Sequence, residues 1–112
     1  MSIKVSFYND YARAVKKACL KQNDQLEIID KVSRDPELGC PISGAGILRK
    51  LRVKFQSKRI GTRGGLRVVY YYCEKRREVW LLDVYYKGDK ESLTPQETRQ
   101  LEQLAKSLIQ RE

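Results

Sequence analysis

The residues of this chain best suited to chemistry are its basic side chains, and they are concentrated. Between Arg49 and Arg67 lie Arg49, Lys50, Arg52, Lys54, Lys58, Arg59, Arg63 and Arg67, with no Asp or Glu among them. That stretch holds eight of the nine excess positive charges, while the rest of the chain sets 15 basic against 14 acidic residues. A cationic zone on an otherwise neutral chain attracts polyanions, nucleic acid foremost. Side chains two apart on a strand share a face, so Lys50, Arg52 and Lys54 project together and Leu51, Val53 and Phe55 project oppositely. Arg67 stands on the next strand, just past Gly64-Gly65. Tyr85 and Lys87 share parity with Leu81 and Asp83 on a third strand, and join the cationic face if register allows.

Such a face suits phosphodiester cleavage. Guanidinium and ammonium groups stabilise the charge that develops on phosphoryl oxygens. RNA carries its own nucleophile, the 2′-hydroxyl, so a protein needs only to orient it, take its proton and protonate the leaving oxygen. Lys or Tyr can do this where neighbouring cations lower their pKa. No metal or other cofactor is expected, because Asp83, Asp89 and Glu91 are too few and too mixed with lysines to hold magnesium. The absence of histidine removes Ser-His-Asp and Cys-His catalysis. Cys19, Cys40 and Cys73 are odd in number and far apart, which suggests neither a disulfide framework nor a zinc site and reads as reduced thiols in a cytosol.

Plainer readings stand beside these. Alternating Lys and Arg on a strand usually make a solvated face, and a basic zone can bind an acidic partner without catalysis. Tyr70, Tyr71 and Tyr72 fit the core and sheet better than base stacking, Trp80 reads as core, and Gly64-Gly65 is ordinary loop chemistry.

The elements that must position the basic residues follow from patterning. At 112 residues, 41% hydrophobic and 33% charged, the expectation is one folded domain over residues 1–112. Residues 3–7 alternate as a short strand. A helix then starts with Asn9 or Asp10 as its cap and carries Tyr11, Val15, Ala18 and Cys19 on one stripe. Asn23 and Asp24 interrupt it, and Leu26, Ile29 and Val32 continue as a second helix ending before Asp35-Pro36. Residues 36–46 form a turn-rich connection. Period-two runs from Leu48, Leu66 and Val79 predict three consecutive antiparallel strands, with a tight turn at Glu74–Glu78. Thr94-Pro95-Gln96-Glu97 caps a final helix bearing Leu101, Leu104, Ala105 and Leu108. The expected fold is α+β, with helices on one face of an antiparallel sheet. No run of 18 apolar residues and no leader pattern occurs, so neither a membrane span nor secretion is expected.

Three blocks in consistent order carry a resemblance: Gly44-Ala-Gly46-Ile-Leu-Arg49-Lys50-Leu-Arg52, then Gly61-Thr-Arg63-Gly64-Gly65-Leu-Arg67-Val-Val-Tyr70-Tyr71-Tyr72, then Leu82-Asp-Val-Tyr85-Tyr86-Lys87-Gly-Asp-Lys90-Glu-Ser-Leu93-Thr94. Together they resemble the RelE/HigB toxin family of bacterial type II toxin-antitoxin modules, with the Tyr-x-Lys of its HigB-like branch at Tyr85 and Lys87. The resemblance implies a RelE-like fold: an antiparallel sheet with an N-terminal helical hairpin and a C-terminal helix. It implies a cytoplasmic, ribosome-dependent mRNA endonuclease that cuts in the decoding A site and leaves a 2′,3′-cyclic phosphate. It also implies a cognate antitoxin, of helix-turn-helix type, as partner.

By position, Lys50, Arg52, Arg67, Tyr85 and Lys87 would be the catalytic set. Arg67 would bind phosphate, Lys87 and Arg52 would stabilise transition-state charge, and Lys50 or Tyr85 would transfer protons. Arg49, Lys54, Lys58, Arg59, Arg63 and Lys90 would bind RNA. Two departures touch this assignment. Where some members carry a catalytic tyrosine this chain has Leu93, and the glycine-rich start reads Gly-Ala-Gly-Ile. The competing functions are a ParE-like inhibitor of DNA gyrase, which needs no catalytic cluster, and a noncatalytic basic module that binds ribosomal RNA.

Overall fold

The structure, a computed structural model, describes residues 2–54, 65–88 and 92–110. Its elements run β1 (Lys4–Phe7), α1 (Asn9–Lys17), α2 (Gln22–Arg34), β2 (Cys40–Ile42), β3 (Ala45–Val53), β4 (Leu66–Cys73), β5 (Glu78–Tyr86) and α3 (Pro95–Gln110). The strands make one five-stranded sheet in the order β1-β5-β4-β3-β2. The expected α+β class, N-terminal helical hairpin and C-terminal helix are all present. The antiparallel meander β3-β4-β5 is present as read from periodicity. Beyond it, β1 joins β5 in parallel, from Lys4↔Glu78 to Phe7↔Leu81.

The helices do not all lie on one face, as periodicity had suggested. Tyr11 and Val15 of α1 and Ile28 and Val32 of α2 pack on Leu51, Val53, Leu66, Val68, Tyr70, Val79 and Leu81. Ala105 and Leu108 of α3 pack on the other face, against Ala45, Leu48, Val69, Tyr71 and Leu82. The cause lies in β4, whose residues apart from Arg67 are apolar or aromatic in both parities and therefore need cover on both sides. A fully buried Leu or Val contributes about 1.5–3 kcal/mol, so exposing either face would cost more than a small domain has to spare.

Helix boundaries depart from the sequence reading in two places. Tyr8, in extended conformation, is the N-cap residue of α1, and neither Asn9 nor Asp10 caps it. The break between α1 and α2 falls at 18–21, where Cys19 takes φ +56° and is exposed rather than on the apolar stripe. Asp24 does not interrupt the helix but belongs to its first turn, its Oδ2 accepting the Lys21 N–H at 2.9 Å. In α3 the expected capping box forms: Thr94 N–H donates to Glu97 Oε1 at 2.9 Å, and Glu97 N–H donates to Thr94 Oγ1 at 3.1 Å.

The turn-rich connection hides the short edge strand β2, paired with β3 at Cys40↔Lys50 and Pro41↔Arg49 and joined to it through Gly44 at φ +81°. Pro41 is tolerated because an edge strand can spare a donor. Tyr70 ties down the preceding loop: its hydroxyl donates to Pro36 O at 2.7 Å and accepts from Gly39 N–H at 2.8 Å. A Cβ on Gly39 would sit 2.9 Å from Tyr70 Cε1, so this close approach requires glycine.

Candidate nucleic-acid interface

The sheet register decides which basic residues meet. Arg52 pairs with Arg67 across β3 and β4, and Arg67 pairs with Tyr85 across β4 and β5. The three therefore stand in one row across adjacent strands, with opposed Cβ atoms about 4.5–5.5 Å apart. Lys50 stands two pairs away, opposite Val69, on the same face. That face is the one packed on α3, since Leu48, Val69 and Tyr85 share its core.

Tyr85 reaches this row by an irregularity. The pairs Val69↔Asp83 and Tyr70↔Leu81 leave Leu82 as an extra residue on β5, a β-bulge. The bulge reverses parity along the strand: Val79 and Leu81 pack beneath α1 and α2, whereas Tyr85 packs on the α3 side. Leu81 and Tyr85 share odd numbering yet point to opposite faces. Without the bulge, Tyr85 would lie behind the sheet from Arg52 and Arg67.

The row sits at one end of the sheet, where β3 and β5 finish and β4 begins. Gly65 leads into β4 at φ +89°, and a Cβ there would stand 3.4 Å from Arg67 Nη1. Glycine thus supplies the backbone turn and leaves room for the guanidinium. The Gly65 carbonyl accepts the Lys87 N–H at 2.9 Å, which extends the ladder one step and holds exposed Lys87 beside the row. Lys54, also exposed, follows β3 at the same end.

Burial separates these cations. Arg67 is only 8% exposed, and its Nη1 donates to the Leu66 carbonyl at 3.4 Å, while Arg52 is exposed and Lys50 half-buried. Among the described residues, no carboxylate pairs with Lys50, Arg52, Arg67 or Lys87; ion pairs form elsewhere, at Lys4–Glu78 (3.7 Å) and Arg34–Asp30 (2.8 Å). Like charges set directly opposite each other on a sheet are destabilising, and a buried guanidinium is ordinarily paired. An anion settling over the row would relieve both costs. The Tyr85 phenol has its pKa raised, chiefly by burial and further by Asp83 and Glu97, against the opposing pull of Arg67. It therefore stays protonated at neutral pH.

The remaining basic candidates separate from this group. Arg49 lies on the opposite face, where its Nη1 donates to Gly39 O at 2.7 Å and Glu37 O at 3.2 Å and braces the loop held by Tyr70. Lys58, Arg59, Arg63 and Lys90 fall outside the described residues. Tyr70 and Tyr71 are buried, Tyr72 and Trp80 are half-buried against the two cores, and none forms a stacking platform. Among the described residues no cluster of His, Cys, Asp or Glu could hold a metal ion, the three cysteines are free, and no helix is long and apolar enough to cross a membrane.

A scan against models of known protein families finds no match. Solved structures do match. The chain is similar to a doubly substituted variant of the Escherichia coli toxin RelE in the free state (TM-score 0.57, 20% identity, covering 90% of this chain and 98% of that one). It is similar to the Mycobacterium tuberculosis toxin-antitoxin complex RelBE2 (TM-score 0.57, 17% identity, 77% and 99% covered). It also resembles a chain of the intact Escherichia coli RelBE toxin-antitoxin complex (TM-score 0.51, 19% identity, 73% and 93% covered). The chain has a RelE-like fold.

In this RelE-like fold, Leu93 is partly buried against the α3-side core and lines a cleft together with Lys50. Thr98 and Arg99 of α3 line the same cleft, and sequence reasoning overlooked both. The capping box fixed where α3 starts, but only the packing of α3 on the second sheet face brings its first turns beside Lys50.

Proposed function

We propose that this chain is the toxin of a type II toxin-antitoxin pair, an mRNA endonuclease of the HigB-like branch that works on the ribosome in the cytoplasm as a single domain. The observation that carries the reading is the cross-strand row Arg52-Arg67-Tyr85, with Lys50 on the same face and, among the described residues, no carboxylate paired to its cations. The RelE-like fold supports it, since similar chains are described as toxins and toxin-antitoxin complexes.

The chemistry is an in-line attack of the RNA 2′-hydroxyl on the adjacent phosphorus, giving a 2′,3′-cyclic phosphate and a free 5′-hydroxyl without a metal. Arg67, rigid and nearly buried, holds the scissile phosphate. Arg52 and Lys87, more exposed, meet the charge that grows on its oxygens. In this reading Tyr85, whose raised pKa keeps its phenol protonated, protonates the leaving 5′-oxygen, and Lys50 takes the 2′-proton. Lys54 contacts backbone phosphates, as do Lys58, Arg59, Arg63 and Lys90. The cognate antitoxin, of helix-turn-helix type, restrains the activity.

The test is to map RNA ends in a translating extract with wild type and with the Lys50→Ala, Arg52→Ala double variant, both exposed enough to alter without disturbing the core. New cuts that require ribosomes and vanish in the variant are expected. Inhibition of gyrase supercoiling with no new cuts would replace this reading with the ParE-like one, and ribosome binding without cuts would replace it with a noncatalytic module.

A further inference from the structure

Among the described residues, three clefts adjoin the row or its surroundings, and their charge separates them. One, between α1, the β5 bulge and α3, is lined by Asp10, Asp83 and Glu97. Another, along the half of β5 that β1 does not cover, is lined by Asp83 and Glu97 beside Tyr85. Both would repel a phosphodiester chain. The third, about 520 Å³, lies between the β2–β3 hairpin and the first turns of α3, and among the described residues its lining contains no carboxylate. It contains Lys50 itself, and Arg99.

Both sides of this third cleft supply apolar side chains, Pro41 and Ile42 from the hairpin and Leu93 and Pro95 from the start of α3, with Ser43, Ser92 and Thr98 among them. The volume lies within the roughly 300–1,000 Å³ of small-ligand sites. A flat, uncharged ring system fits between such walls, and Arg99 at the rim supplies N–H donors for acceptors on its edge. Lys50 and Arg52 are two residues apart on β3, about 6.6 Å, a distance one nucleotide spans readily. A phosphate over Arg52 and Arg67 therefore leaves a neighbouring base within reach of the cleft.

We infer that this cleft is a nucleobase subsite, receiving the base next to the scissile phosphodiester of single-stranded RNA; the inference rests on the nuclease reading above and adds a place where base preference is set. Leu93 is the wall residue and Arg99 the edge donor. Neither takes part in the chemical step.

Two measurements test it. In the first, a short RNA made uncleavable by a 2′-deoxy substitution at one position is titrated onto the protein, with each neighbouring base in turn replaced by an abasic site. Wild type should bind about tenfold more weakly when one particular base is missing. Leu93→Trp, which fills the cleft, and Arg99→Ala, at an exposed position, should reduce that difference to about twofold or less, with unchanged thermal melts. Equal binding of intact and abasic RNA by wild type, or full discrimination retained by both variants, overturns the subsite.

The second measurement maps cut sites in a translating extract. Leu93→Trp should change the base preferred at one position beside the cut and leave the other positions unchanged. If wild type cuts but both variants cut with its preferences, the subsite is overturned and the nuclease reading stands. If wild type makes no cuts yet shows abasic discrimination that both variants lose, the nuclease reading falls and the base subsite remains.

Discussion

At the scale of single residues, the arrangement at Arg52, Arg67 and Tyr85 spends stability on electrostatics. Two guanidiniums opposed across strands repel, and Arg67 is nearly buried besides. Replacing Arg52 by Ala should therefore leave the melting temperature unchanged or slightly raised while lowering ribosome-dependent cleavage about a hundredfold, the scale on which a single charge-stabilising donor acts. A fall in both together would make Arg52 structural. Tyr11 presents the opposite case. Its buried hydroxyl has no hydrogen-bond partner among the described residues, and burial with nearby Asp83 pushes its pKa well above the ordinary 10.0. A folded-state pKa raised above the unfolded value gives stability that is complete below the unfolded value and lost as pH climbs beyond it. Melting temperatures should hold up to about pH 10 and then fall, and Tyr11→Phe should make that fall shallower. At neutral pH the same substitution should be neutral or stabilising by up to about 1 kcal/mol, because it removes an unsatisfied buried hydroxyl. A loss exceeding that in urea denaturation would mean the hydroxyl is held after all.

At the scale of elements, the β5 bulge and the loop beneath Tyr70 set the site's geometry. The bulge at Leu82 turns Tyr85 to the face of Arg67, so the proposed proton donor depends on one extra residue in a strand. The loop before β2 rests on the two Tyr70 hydrogen bonds and on the clearance at Gly39. Because β2 pairs Cys40 with Lys50, that loop positions the proposed proton acceptor from the side. Tyr70→Phe should cost about 1–3 kcal/mol in urea denaturation, since it leaves the Pro36 carbonyl and Gly39 amide without their partner. Gly39→Ala should destabilise by a comparable 1–3 kcal/mol or so, through overpacking against the ring. Normal stability in both would show that the loop is held elsewhere.

At the scale of the whole molecule, the net charge of +9 is distributed so that one end of one sheet face carries cations with no carboxylate paired to them among the described residues. Counterion release then predicts how RNA binding responds to salt. Each phosphate neutralised should add about −0.7 to the slope of log affinity against log salt. Lys54→Ala should make the slope shallower by about that amount, and Arg49→Ala, on the opposite face, should leave it unchanged. A flat response in wild type would point to a protein rather than a polyanion as the partner of this face.

Local residue chemistry was enough to determine several of the elements: three strands from their period-two runs, the reciprocal cap of α3 from Thr94 and Glu97, the end of α2 from Asp35-Pro36, and the cationic character of the stretch around Lys50. Each depends on neighbours within a turn or a strand pair, which a single chain displays. Tertiary structure alone decided which face each helix covers, that Arg49 turns away from Lys50 and Arg52, that Tyr85 joins Arg67, and that α3 brings Leu93 and Arg99 to Lys50. The reason is register. One inserted residue reverses every side chain beyond it at almost no cost in local propensity, and the choice between the two faces is made by burial against partners dozens of residues away.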